Sequence, residues 1–223
     1  MSTHFQIRIF KDPAASWTHF IGFWFALVAA AALVWRVSDD GPKAMAMAIY
    51  GATLILLFLT SSLYHWFDIG ERGNRWLRRL DHAAIFLLIG GTYVPPLLLL
   101  LDGAWRISLL VLVGGFAIAG ALFKIAWIEC PTWISLSLYL GLSYVVIVPA
   151  HLILPQLSAG TLAWLVGGGV AYTVGAFVYA KHWPDPWPET FGHHEVWHLF
   201  VLAGAAAHYV FTYRLVDVSY APF

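Results

Sequence analysis

Seven stretches of this chain are each long and apolar enough to cross a lipid bilayer, and nothing else in the sequence constrains its fold as strongly. A spanning helix needs roughly 20 mostly apolar residues. Such runs occupy 17–35, 44–67, 80–101, 107–125, 132–154, 162–179 and 195–213. Turn-like breaks separate them at 38–42, 68–79, 102–106, 129–131, 155–160 and 182–190. A bilayer interior gives exposed backbone no hydrogen-bond partner, so spans of this length are helices. Composition removes the soluble alternative: 61% of residues are hydrophobic and 11% charged, against about 25% charged in soluble domains. The predicted fold is all-α, a seven-transmembrane helix bundle at 17–214, with an N-terminal segment at 1–16 and a C-terminal tail at 215–223. The first apolar run is long enough to be a span, so no cleavable signal peptide is expected.

An odd number of spans places the two termini on opposite sides, and basic residues choose the side. With the N-terminus cytoplasmic, the inner segments hold Arg8, Lys11, Arg72, Arg75, Arg78, Arg79, Lys124 and Lys181, and the outer ones only Arg36, Lys43, Arg106 and Arg214. Cytoplasmic loops carry the basic excess, so the expected orientation is N-terminus inside and C-terminus outside. Formal charge balances at zero, which gives no reason to expect a nucleic-acid partner. The expected partners are membrane lipids, and no oligomer is predicted. Cys130 is the sole cysteine, which excludes a disulfide scaffold and an all-cysteine metal site. Small residues at Gly167, Ala171 and Gly175, and again from Gly204 to Ala207, predict close helix packing in the last two spans. Pro95, Pro96 and Pro149 predict kinks in the third and fifth.

Ionisable side chains inside a bilayer are costly and mark candidate sites. Ten histidines are present, and sorting them by depth is informative. His19 opens the first span, His65 closes the second, Asp81 and His82 open the third, and His193, His194 and His198 open the seventh. All belong to one end of the bundle. His194 and His198 stand four apart, on one helix face. Two imidazoles so placed can bind a Zn²⁺ ion, and His65 would make a third ligand, leaving the fourth position open as in catalytic zinc sites. Asp81 can orient water or a ligand imidazole. Ser61, one turn above His65, can donate to an oxyanion or to Asp81. His208 is expected in packing or a cavity wall, and His4, His151, His182 and His193 in solvent or at the interface.

Three functions follow from these residues. One is a zinc hydrolase acting on a lipid amide or ester, with His65, His194 and His198 as ligands and Asp81 and Ser61 as catalytic groups. Another reads His194-Glu195-Val196-Trp197-His198 as a metalloprotease motif with Glu195 as general base, and Asp102 in Leu101-Asp102-Gly103 as its partner. Asp102 belongs to the opposite end of the third span, which weighs against it. The last is a non-enzymatic membrane protein in which a structural zinc staples the second, third and seventh spans.

Several motifs together resemble the hemolysin III family, the bacterial branch of the progestin and adipoQ receptor family. They are Ser61-Ser62-Leu63-Tyr64-His65, Leu80-Asp81-His82-Ala83-Ala84-Ile85, Gly90-Gly91-Thr92-Tyr93-Val94-Pro95, and His194-Glu195-Val196-Trp197-His198-Leu199-Phe200-Val201 with His208 downstream. The resemblance runs from Thr18-His19 to Tyr209. It implies seven spans with a cytoplasmic N-terminus, a zinc ion held by His65, His194 and His198, an aspartate at Asp81 that reaches the zinc through water, and Ser61 in the same constellation. It also implies metal-dependent hydrolysis of the ceramidase kind with a role in membrane-lipid homeostasis or, as the alternative, a non-enzymatic cytolysin or receptor-like protein with a structural zinc, and residence in the bacterial inner membrane. One departure stands out: where the family commonly has Glu and Asn before the first-span Thr-His, this chain has Asp12 and Ala15. His19 is therefore left out of the metal set.

Overall fold

The computed structural model describes residues 8–217; His4 and the end of the C-terminal tail lie outside them. Helix α1 runs over Pro13–Arg36, α2 over Gly41–Trp66, α3 over Gly70–Leu100 and α4 over Gly103–Ala126. After these come α5 (Thr132–Ser143), a 3₁₀ turn at Tyr144–Ile147, the short α6 (Ala150–Ile153), a second 3₁₀ turn at Leu154–Gln156, α7 (Ala159–Lys181) and α8 (His193–Leu215). Two two-residue strands, β1 (Arg8–Ile9) and β2 (Phe67–Asp68), pair antiparallel with Arg8 opposite Asp68.

Six of these helices are uninterrupted and apolar enough to cross a membrane, and the pair Thr132–Ile147 and Ala150–Gln156, bent by 44°, makes a seventh when counted as one broken span. The chain is a multi-pass membrane protein. Its helices close a ring: α1 packs on α2, α2 on α3, α3 on α4, α4 on α5, α5 on α7, α7 on α8, and α8 back on α1. Helix α3 also reaches α5 and α8. Its most apolar stretch is 72% buried, against 28% for that of α1, so α3 is the helix around which the others are arranged. The end where α1, α3, α5 and α8 begin is the end where α2, α4 and α7 finish.

The break in the fifth span has a local cause and a local remedy. Pro149 cannot donate a backbone hydrogen bond, and the helix gives way beside it. Buried Tyr93 of α3 compensates. Its hydroxyl donates toward the carbonyls of Leu142 at 3.1 Å and Ser143 at 2.5 Å, and accepts from the Val146 amide at 2.9 Å. Irregular backbone at membrane depth is tolerated where protein groups satisfy it in this way.

Two expectations need correction. The segment 68–79, expected as a break, is helical from Gly70 onward. Asp68 fixes that start by accepting from the Gly70 amide at 3.1 Å and the Asn74 side chain at 2.7 Å, while Asn74 accepts from the Ile69 amide at 3.0 Å. Gly70 takes φ +80°, a left-handed value natural to glycine. Hydropathy registers only the charge of the arginine run, whereas Arg is a strong helix former. The small-residue face of α7 holds at Gly175 but not at Gly167, whose place is taken by the next residue. Gly167 is exposed and faces open space. Gly168 and Gly175 make the close approach, against the His208 ring and Phe200 of α8, and Gly204 of α8 lies against the Tyr172 ring.

Candidate metal centre

The centre is assembled where the chain entering α1 folds back under the end of α2. The amides of Phe10 and Asp12 donate to the carbonyls of Trp66 at 2.7 Å and His65 at 3.0 Å. The rings of Phe10, Trp17 and Phe20 pack around Trp66 with centroids about 5.0 Å away. This seats Asp12, the residue preceding α1, beneath the last turn of α2. His65 Nδ1 donates to Asp12 Oδ2 at 2.9 Å, which turns its other nitrogen, Nε2, toward α8. Half-burial works to raise the Asp12 carboxyl, but the His65 hydrogen bond and the charges of His65 and Lys11 outweigh it and hold the group below its ordinary range. Burial pulls neighbouring Lys11 below its usual value despite Asp12.

His194 and His198 occupy the first two turns of α8. His194 Nε2 lies 3.3 Å from His65 Nε2. The His198 ring sits 5.0 Å from that of His65 and 4.6 Å from that of His194. One ligand atom from each of the three lies within 4.8 Å of the others, so the group could hold a metal ion. His198 is fully buried, and neither of its ring nitrogens has a hydrogen-bond partner. A polar group left so is costly, and a cation at the centre would relieve it. Nitrogens about 2.0–2.1 Å from a tetrahedral ion stand about 3.3 Å apart, which is the separation of the two Nε2 atoms. The donor set therefore fits a nitrogen-liganded divalent metal.

Around the triad lie three further groups. Ser61, one turn before His65, is buried, and its Oγ is 2.7 Å from His19 Nδ1. Asp81 is buried on α3, interacts with Ser61 and His65, and lies 3.6 Å from His82 Nδ1. His19 stacks on His198 at 3.7 Å with the rings 9° apart. The structure thus brings together His65, His194, His198, Ser61 and Asp81, and adds two residues not placed at the centre from sequence, Asp12 and His19. The position of Thr18-His19 at the mouth of the first span was the available signal for His19. The signal for Asp12 was its place before Thr18-His19, where the hemolysin III resemblance has Glu; what the sequence does not show is the backbone folding back onto Trp66 that seats it.

His208 is three turns deeper on α8, with Nε2 3.3 Å from the Leu165 carbonyl, and His151 packs on Trp105 at the opposite end. His193 is held by Asp185, its amide at 2.8 Å, and His182 ends α7 with its ring 4.7 Å from that of His193. Glu195 is engaged as a cap: it accepts from the Gly192 amide at 2.8 Å. Asp102 precedes α4 at the far end of the bundle.

A cavity of about 450 Å³ meets the centre through His19, Ser61 and Asp81 and continues between α3, α5, α7 and α8 to His208 and Phe211. Its walls are mainly apolar. Exposed Tyr144, Ile147, Val166 and Val170 also border it, so it opens sideways between the broken fifth span and α7.

Comparison with known proteins fixes the kinship. The haemolysin-III related family matches residues 7–209. The chain belongs to that family. Similar haemolysin-III relatives include the hemolysin-3 homolog of Bacillus subtilis (strain 168), 32% identical over 204 residues that cover 91% of this chain and 92% of that protein. Hemolysin-3 of Bacillus cereus is 33% identical over 198 residues, 88% and 87% of the two chains. The human monocyte to macrophage differentiation factor is 27% identical over 207 residues, 90% and 82%. The last carries the likeness into the progestin and adipoQ receptor family.

Proposed function

We propose that this haemolysin-III protein is a zinc-dependent hydrolase of lipid amides or esters, with His65, His194 and His198 as metal ligands. The observation that carries the reading is the unpartnered, fully buried His198 beside His65 and His194, next to an apolar cavity that reaches the centre through His19, Ser61 and Asp81. When bound, zinc supplies Lewis acidity, bringing the pKa of water toward about 7 and polarising a carbonyl. The protein's own groups divide the remaining work. Asp12 keeps the proton on His65 Nδ1 so that Nε2 is the ligand atom. Asp81 orients the attacking water and takes its proton. Ser61, held by His19, donates to the oxyanion as the carbonyl is attacked. The cavity receives the acyl chain and keeps bulk water from the reacting carbon. The basic Arg72–Arg79 run supports a cytoplasmic N-terminus, and on this reading the centre lies near the inner headgroups of a bacterial inner membrane and the activity serves membrane-lipid homeostasis.

The capping role of Glu195 and the remote Asp102 disfavour the protease reading. A structural zinc has an observation in its favour, since the triad and Asp12 tie the entry of α1 to α2 and α8. The test is metal analysis and amide hydrolysis on detergent-purified protein, wild type beside His65→Ala and Asp81→Asn. Near-stoichiometric zinc in wild type, its loss in His65→Ala, and turnover lost in Asp81→Asn with zinc retained are the expected results. Absence of metal from folded wild-type protein would end the reading. Unchanged phenotype in Asp81→Asn with loss in His65→Ala would favour the structural role.

A further inference from the structure

Lys124 lies in the last turn of α4 and is 2% exposed. Its depth follows from packing. Gly120 abuts Phe86 and Gly90 abuts Ala117, so α3 and α4 run side by side with Lys124 level with His82. Its ammonium donates to Ser135 Oγ at 3.0 Å, and at 3.4 Å to the Ile128 carbonyl and to Cys130 Sγ. These acceptors are a hydroxyl, a backbone carbonyl and a thiol. Among the described residues no carboxylate stands within 4.0 Å of Lys124. Glu129, the acidic residue nearest in sequence, reaches outward to Arg78 at 3.3 Å. A buried ammonium without a counter-ion is costly, and the end of a helix offsets only part of that cost.

What the lysine does face is the cavity. Lys124, Ser135, Cys130, Thr132, Arg78 and His82 all line it, at the same end as Ser61 and Asp81. Capping α4 accounts for the Ile128 contact, but an exposed lysine would cap as well, without burial. Ser135 accepts from Lys124 and shares a further hydrogen bond with Cys130 Sγ at 3.1 Å, in which either atom can donate; with the thiol as donor, the hydroxyl keeps its own proton for a ligand. The wall therefore offers one buried positive charge and hydroxyl donors, beside a long apolar space.

We propose that Lys124 and Ser135 form an anion-binding subsite, so that the molecule the cavity takes is an acyl lipid with a phosphate or carboxylate headgroup. This rests on the reading that the cavity receives an acyl chain and is independent of whether the metal centre turns over.

The test is calorimetric titration of the full-length protein in a non-ionic detergent with dodecyl phosphate, dodecanol and inorganic phosphate, on metal-loaded and on chelator-treated protein. Wild type should bind dodecyl phosphate at least about tenfold more tightly than dodecanol, as expected of a hydrogen bond to a charged group. Lys124→Met should erase that preference and Lys124→Arg should keep it, with or without metal. Inorganic phosphate at the same concentration should not displace dodecyl phosphate; if it does, the site belongs to a free anion and the lipid assignment fails. Equal affinity for both amphiphiles in wild type, or a preference that survives in Lys124→Met, overturns the subsite while leaving the acyl cavity standing. If neither amphiphile binds, the cavity reading itself is wrong. The wild-type comparison decides the matter even should Lys124→Met not fold.

Discussion

Replacing Asp12 by asparagine is expected to perturb the proposed metal centre without touching any of the three histidines. The carboxylate accepts the His65 Nδ1 proton at 2.9 Å and so fixes both the tautomer and the ring angle of that ligand. Loss of such an outer partner typically costs 10–100-fold in metal affinity. Asp12's side chain is 41% exposed, so water screens the charge and can replace part of the bond. The expected loss lies at the low end, about tenfold for Asp12→Asn, or about 1.4 kcal/mol. Asp12→Ala, which removes the acceptor as well as the charge, should lose a few-fold more. The carboxyl is held below its ordinary pKa, so the bond's contribution is complete above about pH 4 and disappears as pH falls through the lower folded value. A measurement at neutral pH reads all of it. The assay is competition for zinc between purified protein and a chromophoric chelator, with His198→Ala as the no-site control. If both Asp12 variants bind zinc as tightly as wild type while His198→Ala binds none, the hydrogen bond does not prepare His65 and the argument fails.

Four further outcomes are expected. His198→Ala should abolish metal binding, as measured by elemental analysis after gel filtration, because it removes a fully buried donor. Asp81→Asn should retain zinc and native elution but lose at least about 100-fold in turnover on a lipid amide, the lower range for a positioned acid–base group. Gly51→Val should lower the melting temperature of the detergent-solubilised protein by an amount equivalent to about 1–3 kcal/mol. A Cβ at that position would sit 2.5 Å from Ala30 Cβ and 3.2 Å from its Cα, so α1 and α2 must part. Asp217→Asn should change stability by less than about 1 kcal/mol in the same melt, since its pair with Arg36 is exposed.

Much of the site was legible in the sequence because it is written in helical spacing. His194 and His198 share a face by virtue of standing four apart, and His65 and Asp81 reach their depth by virtue of closing and opening adjacent spans. What escaped was anything that needs the chain's path outside the helices. Asp12 matters only because the amides of Phe10 and Asp12 bond to Trp66 and His65, a return that no periodicity announces. The early start of α3 escaped for a different reason. A hydropathy window sees Arg72, Arg75, Arg78 and Arg79 only as polar, and registers neither that Arg is a good helix former nor that Asp68 and Asn74 fix the helix start. The one-residue shift from Gly167 to Gly168 arises because α7 is apolar on every side. A face defined by size alone has no polar edge to fix its phase, so only the partner, here His208 and Phe200, decides which glycine is covered.

The sequence His194-Glu195-Val196-Trp197-His198 shows how far a local motif can carry chemistry. In a helix interior the glutamate would share the metal-facing surface and serve as base. Here the motif begins at the very first residues of α8, and Glu195 stands where the free amides before the helix need an acceptor. The Gly192 amide takes it at 2.8 Å. With that carboxylate committed to the cap, the proposed hydrolase needs its acid–base group from another helix, and the buried carboxylate at that depth is Asp81 of α3. Its partner hydroxyl, Ser61, comes from α2. On that proposal the reactive groups converge from three helices, at the cavity that His19, Ser61 and Asp81 line. Exchanging the roles makes this checkable. Glu195→Gln preserves an acceptor for Gly192 and should leave turnover within about twofold, whereas an Asp81→Asn protein should lose it. The reverse pattern, activity lost in Glu195→Gln and kept in Asp81→Asn, would mean that the helix start rearranges on metal binding and that the motif is read as in a metalloprotease after all.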